Sequence, residues 1–340
     1  MKFGIVSIFP PARSSLEKLR LAERLKFDTF WICDSHVIWN ECYSLLGWLL
    51  GKSTDERLQF GTMVTNPISR DPIVLASGFA TLQDLSGGRM LCGIGRGDSA
   101  VRVLKRRPAT VAATEQAAAL IRALGSGEQV EVDGTPVRID WAPTAPLPVF
   151  VAAYGPRMLE VAGRVADGVI IECADPHYIS WALDHVRRGA VEAGRDPSQL
   201  QVLASTATYV SADLDLARRE VRPLGAVVGN HVAEVLRNSG PSSMPAELAA
   251  FVETRPEYDY LQHVHKDAEH SHYVPDQIID RLCLVGSAAH CSQRLQELAS
   301  LGVTHVNFYG QTNQFETQME IYATDIIPKL RETVIASARG

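Results

Sequence analysis

Short apolar runs rich in β-branched and aromatic residues alternate along this chain with longer stretches whose apolar positions recur every three or four residues. The short runs predict strands at Lys2–Ile8, Phe27–Cys33, Leu58–Val64, Arg89–Gly95, Leu147–Ala153, Gly168–Glu172, Gln201–Val210 and Val303–Tyr309. Between them the pattern predicts helices. Ser14–Lys26 opens with a Ser14/Glu17 capping box, and further helices run from Pro72 to Leu85, over Thr110–Leu124, and from Pro156. Three more are expected over His177–Ala193, over Ala288–Leu301, and in a last stretch ending near Thr333. Strands alternating with helices favour a parallel sheet, and eight such units favour closure into a (β/α)8 TIM barrel of the α/β class, as a single domain over 1–340.

Two segments break the rhythm. Glu128–Asp140 holds two alternating runs around Asp133-Gly134, the signature of an inserted β-hairpin. Residues 211–282 read as a second insertion, mostly helical and polar, placed to cover the barrel mouth and carrying His263, His265, His270 and His272. Those four histidines read as a solvated loop or active-site lid ahead of a metal site. Trp31, Trp39 and Trp48 are expected to pack the core and the mouth.

Composition narrows the partners. A net charge of −6, from 33 basic and 39 acidic residues, gives no broad basic surface for nucleic acid. No apolar run reaches the ~18 residues a membrane span needs, and Tyr43–Leu50 reads as a buried helix or loop. The amino-terminal MKFGIVSIFPP has no signal-peptide pattern and reads as a first strand. The six cysteines show no CxxC pair and no metal-type spacing, so reduced, buried thiols in a cytoplasmic protein with no metal are expected.

In a parallel barrel the chemistry sits where strands end at the carboxyl face. That rule selects Asp34-Ser35-His36, then Thr65-Asn66-Pro67, then Gly95-Arg96-Gly97-Asp98-Ser99. It also selects Ala153-Tyr154-Gly155-Pro156-Arg157, and Glu172. Each group has a plain structural alternative. His36 reads equally as a capping or surface histidine. The Gly93–Gly97 run has its third glycine misplaced for a dinucleotide fingerprint, but suits a tight turn that lets backbone approach a ligand. Pro156 at a first helical turn leaves free N–H groups which, with Arg157, suit an anionic phosphate; an ordinary strand-to-helix turn explains it as well.

The set FDTFWICDSH, FGTMVTNPISRDP, ATLQDLSGGRMLCGIGRGDSAVR, VAAYGPRMLEVAGRVADGVI and VPDQIIDRLCLVG, in this order, resembles the luciferase-like monooxygenase superfamily. It is most similar to the branch dependent on the deazaflavin coenzyme F420, which includes methylenetetrahydromethanopterin reductase. The resemblance implies an oxidoreductase transferring hydride between F420 and a small organic substrate. It places His36 over the ring as the group that handles the proton, with Asp34 tuning it. It places Met63, Val64, Thr65 and Asn66 in a strand-three bulge behind the ring, with a non-prolyl cis bond at Met63–Val64. Gly95, Arg96, Gly97, Asp98 and Ser99 would line the cofactor, Glu172 would face it, and Ala153, Tyr154, Gly155, Pro156 and Arg157 would hold its phosphate. A homodimer is implied as well. Three alternatives stay open: an FMN monooxygenase fed by a flavin reductase and O2, a metal-dependent barrel hydrolase, and a non-catalytic flavin binder.

Overall fold

The computed structural model describes residues 1–8, 11–240, 248, 258–309 and 314–331. Eight parallel strands form the barrel: β1 (Lys2–Ser7), β2 (Thr29–Ile32), β3 (Gln59–Thr62), β4 (Met90–Ile94), β5 (Val149–Ala152), β6 (Gly168–Ile171), β7 (Gln201–Val210) and β8 (His305–Tyr309). Each pairs with its sequence neighbours. β1 also pairs with β8, Lys2 beside His305 and Val6 beside Tyr309, and this pairing closes the ring. All eight expected strands are present, trimmed by a residue or two at most ends.

Packing explains which side chains turn inward. Trp31, Thr29 and Asn307 share the barrel interior; Trp31 Nε1 donates to Thr29 Oγ1 (2.9 Å), which in turn donates to Asn307 Oδ1 (3.1 Å). The Trp31 ring has room because β3 presents Gly61 opposite it: a Cβ there would lie 2.3 Å from the ring. Gly4 does the same for Thr29, where a Cβ would come within 2.0 Å of the hydroxyl.

Among the helices that cover the barrel outside or above are α1 (Ala12–Arg24), α2 (Cys42–Leu50), α3 (Pro72–Ser86), α4 (Val111–Gly125), α5 (Pro156–Val165), α6 (Pro176–Glu192) and α7 (Leu214–Ser239). Helix Ala288–Ser300 and a helical stretch from Phe315 follow. The hairpin is where the sequence put it, Val130–Val132 against Thr135–Val137, with Asp133 and Gly134 at φ of 49° and 77° making the turn.

Four expectations need correction. The capping box does not form: α1 starts at Ala12 behind Pro11, and Ser14 Oγ donates instead to the Pro11 carbonyl. Trp48 is 39% exposed and packs neither core nor mouth. An additional strand, Leu284–Gly286, prolongs the pairing of β7 beyond the barrel wall; three residues carry no readable period. Finally, α7 is less polar in effect than its composition, burying Val221, Leu224, Val227, Val228 and Val232. The insertion does cover the mouth through this helix. All six cysteines are free and buried, and no described helix is long and apolar enough to cross a membrane.

Candidate active site

A cavity of about 800 Å³ opens at the carboxyl ends of the strands. Its floor is Met63 and Val64, whose connecting peptide is cis, as the resemblance implies. Its sides are the loop Gly95–Ser99 after β4, the turn Ala153–Arg157 after β5, and Glu172 after β6. α7 roofs it with Leu224, Val227, His231, Glu234 and Val235, and His263 and Val264 complete the roof. Most of the residues singled out at the strand ends therefore converge on one space.

Two do not line it. Thr65 sits behind the wall, where its hydroxyl donates to Asp34 Oδ2 (2.8 Å) and accepts from Tyr43 (3.0 Å). His36 is half-buried, outside the lining residues, with Nδ1 buried and unpartnered. Asp34 does line the cavity, but its Oδ2 is engaged by Thr65 and by Arg70 (2.7 Å), which also pairs with Glu41 and lies over the Tyr43 ring. The pairing of Asp34 with His36 implied by the resemblance is not made.

The cavity wall keeps two polar atoms in reserve. Asn66 is 1% exposed; its Oδ1 accepts from the Ile68 and Ser69 amides, which fixes the side chain, while Nδ2 is buried without a partner. Asp34 Oδ1 is likewise buried and unpaired. Groups left this way inside a protein are destabilising unless a ligand meets them. On the opposite side, the N-cap of α5, Gly155, offers no side-chain cap, so the first amides are free, and Arg157 stands exposed beside them with no ion pair among the described residues.

A charged network spans side and roof. His231 on α7 lies with Nε2 3.0 Å from Asp98 Oδ2 and Nδ1 3.4 Å from Glu172 Oε2. Tyr154 donates its hydroxyl to the same Glu172 oxygen, and its ring packs 4.3 Å from the imidazole. Tyr260 donates to Asp98 Oδ1 (2.7 Å), and Arg102 Nε is 3.1 Å from that oxygen. Burial opposes charge on the imidazole, but Asp98 and Glu172 outweigh it and raise the His231 pKa to about 10. Burial also disfavours the Asp98 carboxylate; the neighbouring imidazolium reverses this and brings the pKa down to about 2. Glu172 is lowered for the same reason, helped by the Tyr154 and Tyr309 hydroxyls. His263 differs: burial dominates and drops it to about 4, leaving it neutral, with Nδ1 2.8 Å from the Tyr258 hydroxyl. His270 is buried against the other side of Tyr258, while His265 and His272 are exposed, so the histidine-rich stretch does not converge on one point.

His231 was not singled out by sequence. It lies mid-helix in an unremarkable apolar–polar pattern, and only the fold brings it over Asp98 and Glu172.

The luciferase-like monooxygenase family model matches residues 1–305. The chain is 31% identical to the 5,10-methylenetetrahydromethanopterin reductase of Methanolobus tindarius, over 90% of this chain and 93% of that protein. It is 30% identical to the F420-dependent glucose-6-phosphate dehydrogenase of Beutenbergia cavernae, over 92% and 91%. Among solved structures, an F420-dependent secondary alcohol dehydrogenase bound to an F420-acetone adduct superposes with a TM-score of 0.78 at 19% identity, covering 97% of this chain and 98% of that one.

Proposed function

We propose, since the chain belongs to the luciferase-like monooxygenase family, that it is an oxidoreductase transferring a hydride between coenzyme F420 and a small organic substrate. The observation that carries the choice of cofactor is the near-full-length similarity to an F420-dependent dehydrogenase. The cavity suits such a group. Asn66 Nδ2 is a buried donor and Asp34 Oδ1 a buried acceptor, both unsatisfied, so a heterocycle edge bearing C=O and N–H would meet them. The open N-terminus of α5 with Arg157 suits a phosphate.

When bound, a deazaflavin supplies hydride chemistry alone, because its central ring carbon does not sustain the oxygen adduct a flavin forms. The protein's part is orientation and water exclusion. Met63 and Val64 would give the ring an apolar support, the Gly95–Ser99 loop would border it, and Leu224 and Val227 of α7 would close the space above.

Purified protein titrated with F420 and with FMN decides the reading, followed by anaerobic oxidation of the reduced cofactor with a panel of ketones, aldehydes and imines. Tighter binding of F420 and oxygen-independent turnover are expected. Selective FMN binding with turnover that requires O2 and a flavin reductase would replace this reading by a monooxygenase.

A further inference from the structure

The hydride-transfer reading leaves one requirement unassigned: a proton must reach or leave the substrate in step with the hydride. We propose that His231 is the catalytic acid of the cavity, its imidazole held between Asp98 and Glu172 on the underside of α7. This inference rests on the hydride-transfer reading and adds a residue to it.

Position comes first. His231 lines the cavity, whereas His36 does not. The imidazole is reached by carboxylates from two different barrel loops, Asp98 after β4 and Glu172 after β6, so its place is fixed by the barrel as well as by its own helix. Nδ1 lies 3.4 Å from Glu172 Oε2 and is buried with no aligned acceptor, so it would meet a bound substrate only by turning away from Glu172. Hydrogen bonds of this kind often tighten only once substrate is present.

Charge balance makes the same assignment. Asp98, Glu172 and Glu234 bring three carboxylates. Arg102 contacts Asp98 and Glu234, and Arg96 Nη1 lies 3.6 Å from Glu234, giving two guanidinium groups. The third positive charge comes from a protonated His231. The other groups facing it, Tyr154, Tyr260, Tyr309 and His263, are neutral near pH 7. The cluster thus stores a proton at the cavity wall.

The step balances simply. A substrate C=O or C=N bond loses its π pair. Carbon gains a hydride from the reduced deazaflavin, and the heteroatom forms its new O–H or N–H bond with the proton from His231. The substrate is reduced by two electrons, and the imidazole is left neutral until solvent reprotonates it. In the oxidative direction the neutral imidazole takes the proton.

The test uses the full chain in two measurements. The first needs no cofactor: histidine side-chain NMR on 15N-labelled protein, with the His231 signal assigned by its loss in His231→Gln. The ring is expected to stay protonated past pH 9 and to titrate lower in Glu172→Gln; titration near an ordinary 6.5 overturns the proposal. The second is turnover with F420. His231→Gln is expected to lower kcat at least 30-fold, with cofactor affinity within threefold and the alkaline limb of the kcat–pH profile removed. If His231→Gln turns over like wild type, this role falls while hydride transfer stands. If wild type binds no F420 and transfers no hydride, the functional reading falls and takes this role with it. Circular dichroism of His231→Gln, with His231→Asn as a second variant, separates a chemical loss from a folding one; wild-type kcat in a folded variant again overturns the role.

Discussion

Arg70 holds Asp34 from behind the cavity: Nη1 lies 2.7 Å from Oδ2 of a carboxylate whose side chain is fully buried. Arg70 is itself one-fifth exposed and is steadied by Glu41 and by the Tyr43 ring. Removing one partner of a buried pair leaves an uncompensated charge. Arg70→Met should therefore lose on the order of 3 kcal/mol of stability, read by guanidinium unfolding. Asp34→Asn in that background should recover part of the loss. A double variant no more stable than Arg70→Met would mean that the pairing is not the cause.

His231 should contribute a loss of stability as pH rises. Its pKa in the fold, about 10, lies above its unfolded value near 6.5. The stabilisation is thus complete below pH 6.5 and is lost as pH rises toward 10. Buried thiols such as Cys173 and Cys283, also raised by burial, add to the loss only above their unfolded values near 8.5. Between pH 6.5 and 8 the loss due to His231 alone amounts to roughly 1–2 kcal/mol, while His263, His305 and Lys18, whose pKa values the fold lowers, act in the opposite sense. Thermal melts across that interval should therefore show the wild-type midpoint falling relative to that of His231→Gln.

Gly163 and Gly189 let α5 and α6 pack backbone to backbone. A Cβ at Gly163 would sit 2.0 Å from the Val186 carbonyl oxygen, and one at Gly189 would sit 2.0 Å from that of Glu160. Neither obstacle is a side chain that can swing away. Gly163→Ala should be destabilising by about 2–3 kcal/mol with F420 affinity retained. A variant with an unchanged unfolding midpoint would show that the helices separate freely.

Arg157 tests the phosphate side without touching the core, because it is exposed and pairs with no described residue. Arg157→Ala should weaken F420 binding about tenfold, the equivalent of one exposed charge-assisted contact, with an unchanged melting temperature. Equal affinity by isothermal titration would remove Arg157 from the cofactor site.

The barrel was legible because runs such as GVII and MLCGI are short, wholly apolar and regularly spaced, and a parallel strand buried on both faces has that signature. The cavity's sides were legible because strand ends in a barrel converge by construction: Gly95–Ser99, Ala153–Arg157 and Glu172 needed only the register. The roof was not. His231 is separated from Asp98 by 133 residues and from Glu172 by 59, inside a helix whose pattern signals only that it is amphipathic. His36 shows the converse: adjacency in sequence to Asp34 suggested a pair, but Thr65 and Arg70 take the carboxylate. Local spacing does not reveal which of several polar neighbours a side chain will choose.

Asp98 and Glu172 are carried by the barrel, and His231 by the helix laid across it. The ion cluster therefore exists only while this helix is seated on the barrel: a shift of α7 would take the imidazole from both carboxylates at once, so the charge state of His231 reports how the helix lies.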